Sequence, residues 1–341
     1  MNQTTFHGPL RLNPINRRYF TDDTGRAIYL TGSHTWATLV DLKAEGDADF
    51  DWLGFLDMAH AHGHNFMRLW TWDHPKFAPW TDDVVTFAPL PYLRTGPDLA
   101  RDGQPQFDLT QFNPVYFEAL RQRVIEAGQR GIYVAVMLFE GWCLKWSVPS
   151  SDAWSSHPFN RHNNVNGVDG DPNNDGKADV YALESATVLE HQQAYVRKVI
   201  DTVNEFDNVL YEIINEVENT ERGFQWQEQM VAFVQAEERT RPKQHPVGFT
   251  AEGGGQYNPV VFASRADWIS PGNGPNREYR YDPPAADGSK VILIDTDHLW
   301  GHGGHYRWAW KSFLRGLNPV FMEKFDATLY FFRQQTAESR H

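Results

Sequence analysis

Two short clusters of acidic and amide side chains end apolar runs of this sequence. The run "NVLYEIINE" ends in Asn215 and Glu216, and the run "KVILIDTDH" ends in Asp295, Asp297 and His298. Two carboxyl groups facing each other across a cleft can break a glycosidic bond, because one protonates the departing oxygen while the other attacks or stabilises the anomeric carbon. The clusters are therefore candidate catalytic groups, provided that the fold brings them together.

Repeated apolar runs predict the elements that would do so. Eight runs end in polar residues, at 28–36, 65–74, 131–142, 208–216, 245–250, 267–273, 290–298 and 318–326. Between many of them apolar residues recur every three or four positions, which predicts helices within 49–63, 114–131, 185–206 and 224–241. Strands alternating with helices predict an α/β fold, a single (β/α)8 TIM barrel over residues 1–341.

Three segments depart from this alternation. Residues 1–27 carry a turn signal at Asp22, Asp23 and Gly25 and are expected to form an N-terminal β-hairpin that closes the barrel floor. Residues 143–184 form a long loop after the third strand, rich in Asn, Asp and Gly. Residues 274–290 have no helical pattern and are expected to replace a helix by a loop.

The active site of such a barrel is built at the carboxyl ends of the strands. This rule places Glu216 and the seventh-run acids at one mouth, three strands apart. Aromatic residues make up 14% of the chain, including 13 Trp, which suits stacking on sugar faces but equally an aromatic-rich core. The further residues expected at the mouth are His34, Trp36, Arg68, Trp70, Trp72, Asp73, His74, Glu140, Trp142, Trp300 and Glu323. The set predicts a carbohydrate-binding cleft.

Three motifs resemble known barrel enzymes. "NVLYEIINE" resembles the fourth-strand motif of the clan A retaining glycoside hydrolases, and "GHNFMRLW" is similar to their second strand. The opening "RYFTDDTGRAIYLTGSHTW" is similar to the start of the apiosidase-like (DUF4038-type) barrel family. The resemblance implies glycosidase activity on a poly- or oligosaccharide, with Glu216 as acid/base, Asn215 holding a sugar hydroxyl and Arg68 bracing the site.

The seventh run departs from the clan pattern. Members end this strand with a Glu nucleophile, whereas this chain offers Asp295 and Asp297. We prefer Asp297, because Asp295 is nearer the apolar run and would turn more readily toward the barrel wall; Glu323 is the reserve candidate. Retention is the expected stereochemistry, but Asp is one methylene shorter than Glu, so inversion stays open.

The composition excludes several partners. The net charge is −13 and the Lys and Arg residues are scattered, which argues against nucleic acid and membrane surfaces as partners. One cysteine allows no intrachain disulfide. The chain as given shows neither a membrane span nor a signal peptide, so a cytoplasmic location is expected, with export open if a signal was removed. The oligomeric state is not predicted.

Two metal hypotheses come from the sequence. "HAHGH" precedes the second strand, at the floor, where a catalytic metal is not expected. "DPNNDGKAD" places Asp171, Asn173, Asp175 and Asp179 at the ligand positions of a calcium loop. Ala182 replaces the bidentate Glu, although Glu184 is close by. We expect no cofactor for catalysis and a candidate structural Ca²⁺; a catalytically silent carbohydrate-binding barrel and a metal-dependent barrel hydrolase remain alternative functions.

Overall fold

Eight parallel strands close a barrel in which each strand pairs with its neighbours along the chain. The computed structural model describes residues 6–79, 83–145, 152–251, 254–323 and 325. The barrel strands are β1 (Gly32–His34), β2 (Phe66–Leu69), β3 (Tyr133–Glu140), β4 (Val209–Asn215), β5 (Val247–Thr250), β6 (Trp268–Ser270), β7 (Val291–Asp295) and β8 (Asn318–Met322). Each lies within one predicted apolar run, so the predicted barrel is confirmed.

Helices surround the barrel, and four of them lie where the helical pattern predicts them. They are α1 (Trp52–Ala61), α2 (Pro114–Gln129), α3 (Trp142–Lys145), α4 (Ala153–Ser156), α5 (Ala186–Val203), α6 (Glu221–Glu238), α7 (Asn258–Ala263), α8 (Asp297–Trp300) and α9 (Tyr306–Leu314). The four predicted helices are α1, α2, α5 and α6. Each begins after a residue whose side chain accepts a backbone N–H of the first turn, namely Asp51, Asn113, Ser185 and Thr220.

The connection between β6 and β7 is a loop, as expected. Its described residues contain a single 3-10 turn at Glu278–Arg280.

The N-terminal segment closes the floor of the barrel. Arg11–Leu12 pairs antiparallel with Phe20–Thr21, and Phe20 bridges Ile28 across the predicted turn. The buried side chains of Leu10, Phe20 and Leu30 share one apolar cluster with residues from the first halves of the barrel strands, among them Phe66, Tyr133, Leu210 and Val291. The floor is therefore an apolar contact between this segment and the strand beginnings.

Residues 70–79 and 83–113 belong to an excursion that the sequence analysis did not predict. Thr86–Ala88 pairs antiparallel with Asp41–Lys43, which belongs to the loop after β1. Tyr92–Leu99 and Pro105–Phe112 then form a hairpin before α2. Of the residues in these pairs, Leu42 lines the cavity described below.

The long loop after β3 contains the short helices α3 and α4. The rest of its described residues form neither a helix nor a strand. Three parts of the predicted elements lie outside the described residues: 1–5 of the N-terminal segment, 146–151 of this loop, and Lys324 and Asp326 of the eighth run. Within the described part of the chain, no helix combines the length and the apolar character needed to cross a bilayer.

Candidate active site

Arg68 of β2 organises the polar interior beneath the mouth. Its side chain is buried and donates through Nε to Glu212 Oε2 at 2.7 Å, with a second bond from Nη2 to Glu212 Oε1. It also donates to Asp295 Oδ2 and Asn215 Oδ1, each at 2.8 Å. Burial alone would lower the pKa of Arg68, but Glu212 and Asp295 raise it well above its usual value. The guanidinium is therefore a fixed positive charge that holds the ends of β4 and β7.

Glu216 and Asp297 face each other above this network. One carboxylate oxygen of each, together with a ring nitrogen of His298, lie within 4.8 Å of one another. Burial raises the pKa of Asp297 well above its usual value, and the nearby charges of Glu216 and Asp295 raise it further. Lys145 Nζ lies 3.7 Å from Glu216 Oε2. The free pair thus holds a proton to a higher pH than two separate carboxyl groups would.

The turn after β4 has the backbone geometry that delivers Glu216 to this position. Glu216 has φ +50°, a left-handed conformation that is uncommon for a residue with a side chain. Gly141, which directly follows β3, lies so close that an added Cβ would be 3.0 Å from the Glu216 carbonyl oxygen. A glycine at 141 therefore allows the ends of β3 and β4 to approach.

Indole rings wall the cavity in which the pair lies. The cavity has a volume of about 240 Å³ and is lined by Trp36, Leu42, Trp70, Trp72, Glu140, Trp142, Asn215, Glu216, Asp297, Trp300, Gly301 and His302. All five tryptophans predicted for the mouth are in this set. Trp72 Nε1 donates to the Trp36 carbonyl oxygen at 2.8 Å, and the Arg68 guanidinium lies over the Trp70 ring at 4.7 Å. The wall is thus anchored to the same network as the acids.

Two buried histidines pack beneath the acids. His298 Nε2 lies 3.5 Å from Asn215 Oδ1, and its Nδ1 lies 3.1 Å from Ser270 Oγ. Burial, with the charge of Arg68, lowers the pKa of His298 to about 3. His34 Nε2 lies 3.3 Å from Asp295 Oδ2, and the same two causes lower its pKa. Both rings are therefore neutral at physiological pH.

Glu140 at the end of β3 caps the helix that follows it. Its Oε1 accepts the Trp142 N–H at 2.8 Å and its Oε2 accepts the Cys143 N–H at 3.2 Å. Its own N–H donates to Asp73 Oδ2 at 3.1 Å, and the Tyr181 hydroxyl also donates to that oxygen. The long loop after β3 is thereby tied to the mouth.

The structure brings most predicted site residues together, and it distinguishes between the seventh-run acids. Asp297 lines the cavity, whereas Asp295 is 2% exposed, binds Arg68 and accepts the Asp297 N–H at 2.9 Å. Arg68, His34 and His298 support the cavity from below. The Glu323 side chain is half-buried and is not among the described residues that line the cavity; its N–H donates to the His34 carbonyl oxygen at 2.8 Å.

The candidate calcium residues lie apart from the cavity. Asp171 accepts the N–H groups of Asp175 and Gly176 at 3.1 and 3.0 Å, and Asn173 donates to Asp179 Oδ2 at 3.2 Å. Glu184, the candidate substitute ligand, instead pairs with Arg222 at 2.6 Å. Their carboxylates do not form a three-acid cluster within the described chain, where the group with metal-ligand spacing is Glu216, Asp297 and His298.

The sequence analysis missed Glu212 and Lys145. Glu212 lies in the middle of β4 and is fully buried, so the run taken as filling the barrel with apolar side chains contains the main partner of Arg68. A carboxylate inside an apolar strand was the available signal, because such a group is seldom buried without a cationic partner. Lys145 follows β3 within α3 and carried no comparable signal.

A protein-family model places the chain among relatives. The model described as "Domain of unknown function (DUF6298)" matches residues 64–251, more than half of the chain. The chain belongs to the DUF6298 family. The matched region runs from the start of β2 to the end of β5 and includes Arg68, Glu212, Asn215 and Glu216. A comparison with curated proteins finds no match.

Solved structures similar to this member of the DUF6298 family share its barrel. A family 5 glycoside hydrolase mannosidase from Rhizomucor miehei, in complex with mannosyl-fructose, has a TM-score of 0.57 at 14% identity, over 93% of this chain and 85% of that one. An endo-β-1,4-mannanase from Thermotoga petrophila has a TM-score of 0.51 at 14% identity, over 86% and 67%.

A glycoside hydrolase of family 5 from Bacteroides vulgatus has a TM-score of 0.53 at 13% identity, over 93% of this chain. This chain spans 62% of the length of that protein and 56% of another from the same organism. At these identities the similarity shows the fold alone.

Proposed function

We propose that this protein is a glycoside hydrolase that cleaves a glycosidic bond in a poly- or oligosaccharide, with Glu216 and Asp297 as its carboxyl pair. The observation that carries the proposal is the approach of the two carboxylates to within 4.8 Å in a cavity walled by five tryptophans. Indole faces bind the apolar faces of sugar rings, and facing carboxyl groups supply the acid and the second carboxylate that hydrolysis needs.

The separation of the pair supports retention of configuration. Retaining enzymes hold their two carboxyl groups about 5–5.5 Å apart, whereas inverting enzymes leave about 6.5–9.5 Å for a water molecule. Oxygen atoms within 4.8 Å fit the first arrangement. The pair has this spacing although Asp is shorter than Glu; Asp297 lies two residues beyond the end of β7 and lines the cavity.

The mechanism needs one carboxyl group of the pair protonated and the other ionised. The protonated carboxyl donates to the departing glycosidic oxygen, while the ionised one attacks the anomeric carbon; water then releases the sugar. The resemblance at β4 assigns the acid/base role to Glu216. In the free protein the raised pKa of Asp297 and the nearby Lys145 favour the proton on Asp297. We assign Glu216 as acid/base and Asp297 as nucleophile, with the proton moving to Glu216 as substrate binds.

The similar structures support the reaction class and leave the substrate open. Two of those named above are described as family 5 glycoside hydrolases, one of them a mannosidase, and the third is described as an endo-β-1,4-mannanase. Fold similarity at 13–14% identity does not carry sugar specificity to this chain. The apiosidase-like resemblance at the N-terminus likewise stays a prediction, because the family model that matches is DUF6298.

The decisive experiment compares Glu216→Gln with Glu218→Gln on a panel of aryl glycosides and polysaccharides. Glu216→Gln keeps the size of the side chain and removes the titrating proton. We expect it to lower kcat at least about a hundred-fold, the lower end of what general acid catalysis contributes. Glu218 is exposed, so Glu218→Gln should keep full activity and controls for charge. Equal activity of the two variants would remove Glu216 from the mechanism.

Azide distinguishes the two role assignments. If Glu216 is the acid/base, azide should restore turnover to Glu216→Ala on a substrate with a good leaving group and yield a glycosyl azide of retained configuration. Asp297→Ala with azide should yield the inverted glycosyl azide, because azide replaces the missing nucleophile. If Glu216→Ala gave the inverted azide and Asp297→Ala the retained one, Glu216 would be the nucleophile and Asp297 the acid/base.

Two other functions are tested by the same panel. A catalytically silent carbohydrate-binding barrel would bind polysaccharides without cleaving any of them. A metal-dependent hydrolase is the other candidate, because the spacing of Glu216, Asp297 and His298 could also hold a metal ion. Activity that is lost on chelation and restored by Zn²⁺ or Mn²⁺ would favour the metal-dependent enzyme over the two-carboxylate mechanism.

A further inference from the structure

A cationic recess lies beside the catalytic cavity and shares part of its wall. The recess has a volume of about 500 Å³ and is lined by Arg280, Tyr281, Trp300, His302, Gly304, His305, Arg307, Trp308 and Lys311. Trp300 and His302 also line the catalytic cavity. The Trp300 ring packs edge-to-face on the buried Trp308 at 5.3 Å, so the partition between the two spaces is held in place.

Among the described residues, no carboxylate pairs with the arginines and the lysine of this recess. Its described lining contains two arginines and a lysine but no Asp or Glu. Their hydrogen bonds to the protein are made to uncharged groups: Arg280 Nε donates to the Leu299 carbonyl oxygen, Lys311 Nζ to the Tyr281 carbonyl oxygen at 2.8 Å, and Arg307 Nε to the Tyr306 hydroxyl at 3.2 Å. Within the described chain none of the three lies in an ion pair with a carboxylate.

The local positive charge contrasts with the charge of the whole molecule. The chain carries a net charge of −13, whereas the recess places three cations together, of which Arg280 is half-buried and Arg307 and Lys311 are exposed. A strongly acidic protein repels polyanions at long range. The cations of the recess lie beside the tryptophan wall of the catalytic cavity. They are therefore placed to bind a negatively charged group on a bound glycan.

We propose that the substrate is an anionic glycan, and that the recess formed by Arg280, Arg307 and Lys311 holds a carboxylate or sulfate of the sugar unit next to the one cleaved. This inference rests on the proposed glycosidase function and adds the substrate class. The carboxyl pair acts on the sugar in the catalytic cavity, while Trp300 stacks between the two units. Carboxylate and sulfate have the same charge and acceptor chemistry here, so the experiment separates them.

The test measures binding by affinity electrophoresis with the full chain carrying Glu216→Gln, so that turnover does not consume the polymer. The carboxylate arm uses polygalacturonate against its fully methyl-esterified form, and the sulfate arm uses dextran sulfate against dextran. Each pair keeps the backbone and removes the charge. We expect at least about ten-fold tighter binding to the charged member of one pair, weakened at 0.5 M salt, because exposed charges are screened.

Two matched double variants locate the binding. Arg307→Gln with Lys311→Gln should lower affinity for the charged polymer about ten-fold, the combined effect expected for two surface charge contacts. Arg239→Gln with Lys198→Gln removes the same charge from exposed positions of the outer helix layer and should leave affinity unchanged. Thermal melting of both proteins checks that they are folded.

Three outcomes would overturn the inference: no binding to either charged polymer, equal binding of charged and neutral members, or equal loss in the two double variants. None of these outcomes bears on the reaction itself. Cleavage of neutral glycans that depends on Glu216 would support the glycosidase proposal and contradict the anionic substrate. Binding of a charged glycan at the recess with no cleavage of any glycan would support the binding site and contradict the glycosidase proposal.

Discussion

Asp297 combines two unfavourable conditions for an ionised carboxylate. It is nearly removed from water, and it faces the like charges of Glu216 and Asp295, with the Arg68 guanidinium 3.8 Å away as partial compensation. Catalytic acids are often kept in such positions because their chemistry needs a shifted pKa. The same forces that raise the pKa make the folded state less stable. The cost is therefore measurable as a stability that depends on pH.

Replacing Asp297 should stabilise the protein at neutral pH. The unfolded chain ionises Asp297 near pH 4, whereas the folded protein retains the proton to a higher pH, so wild-type stability falls as pH rises above about 4. Asp297→Asn removes this dependence. We expect its melting temperature at pH 7 to exceed that of the wild type by about 2 °C or more, with turnover lost. The difference should vanish below about pH 4.

Asp287→Asn is the control of opposite sign. Hydrogen bonds from Ser289 lower the pKa of the exposed Asp287, so its ionised form favours the folded state above pH 4. The variant should be slightly less stable than the wild type at pH 7. A melting temperature of Asp297→Asn below that of the wild type at pH 7 would contradict the charge repulsion inferred for the pair.

Part of the site could be predicted from the sequence, and part of its support could not. Arg68, Asn215 and Glu216 could be predicted because strand polarity and a motif fix their positions at the mouth. Glu212 could not be separated from its apolar neighbours by position alone, since its role depends on a guanidinium arriving from β2. The preference for Asp297 over Asp295 was argued from distance along the strand, and the structure places Asp297 in the cavity, but its chemical role stays a prediction.

At the scale of elements, one hydroxyl of the loop after β3 binds a buried carboxyl group at the mouth. Tyr181 donates to Asp73, which also accepts the Glu140 N–H and so connects β2, β3 and the loop. Burial raises the pKa of Asp73 to about 7, although the bonds from Tyr181 and Glu140 oppose the rise. Above pH 7 the ionised Asp73 depends on these two donors.

Tyr181→Phe should therefore destabilise the protein more at pH 8 than at pH 5. At pH 8 the variant leaves a buried carboxylate with one donor fewer, which costs about 1–3 kcal/mol, whereas at pH 5 Asp73 is protonated and the loss is smaller. Urea unfolding at both pH values measures the difference. Tyr281→Phe, at a residue 71% exposed, removes a hydroxyl at little cost and is the control. Equal losses at the two pH values would exclude an ionised Asp73.

The calcium loop stays a prediction at this scale. Titration of Ca²⁺ should release or absorb heat and raise the melting temperature, because an ion that binds only the folded state stabilises it by about 2.7 kcal/mol at 100 times its Kd. Asp171→Asn should abolish the effect, and Mg²⁺, which prefers octahedral sites with bound water, should give a weaker one. No heat with Ca²⁺ and no shift with chelator would remove the hypothesis.

The excursion between β2 and α2 shows what element prediction missed. The dipeptide Asp102–Gly103 lies between the two hairpin strands, and Gly103 has φ +82°, which is the turn signal of a hairpin. The pairing of Thr86–Ala88 with Asp41–Lys43 joins segments from two different barrel loops. Such a pairing leaves no local pattern, so a sequence reading finds the barrel but not the walls added above it.

At the scale of the whole molecule, an apolar cluster forms the floor of the barrel, and the candidate catalytic residues lie at the opposite end. The strand polarity that was read from eight apolar runs determines which end is floor and which is mouth, and this much was predictable because a buried parallel strand has a distinctive pattern. The cationic recess was not predictable. Arg280 comes from the loop before β7 and Arg307 and Lys311 from α9, and only the closed barrel sets them side by side.

From this arrangement we expect a substitution in the floor to change stability without changing substrate binding. Phe20 is fully buried in the cluster that joins the N-terminal segment to the strand beginnings. Phe20→Ala should lower the free energy of unfolding by about 3–5 kcal/mol, the usual cost of removing a large aromatic side chain from a core. Because the substitution lies at the opposite end of the barrel from Glu216 and Asp297, KM measured well below the melting temperature should stay at the wild-type value.

Ile15→Ala is the matched control, since Ile15 belongs to the same segment but is 92% exposed. It should change neither stability nor KM, because its side chain gains little from burial on folding. If Phe20→Ala raised KM while the protein remained folded, the floor would be coupled to the mouth through the strands. If it left the melting temperature unchanged, the N-terminal segment would not be part of the barrel core.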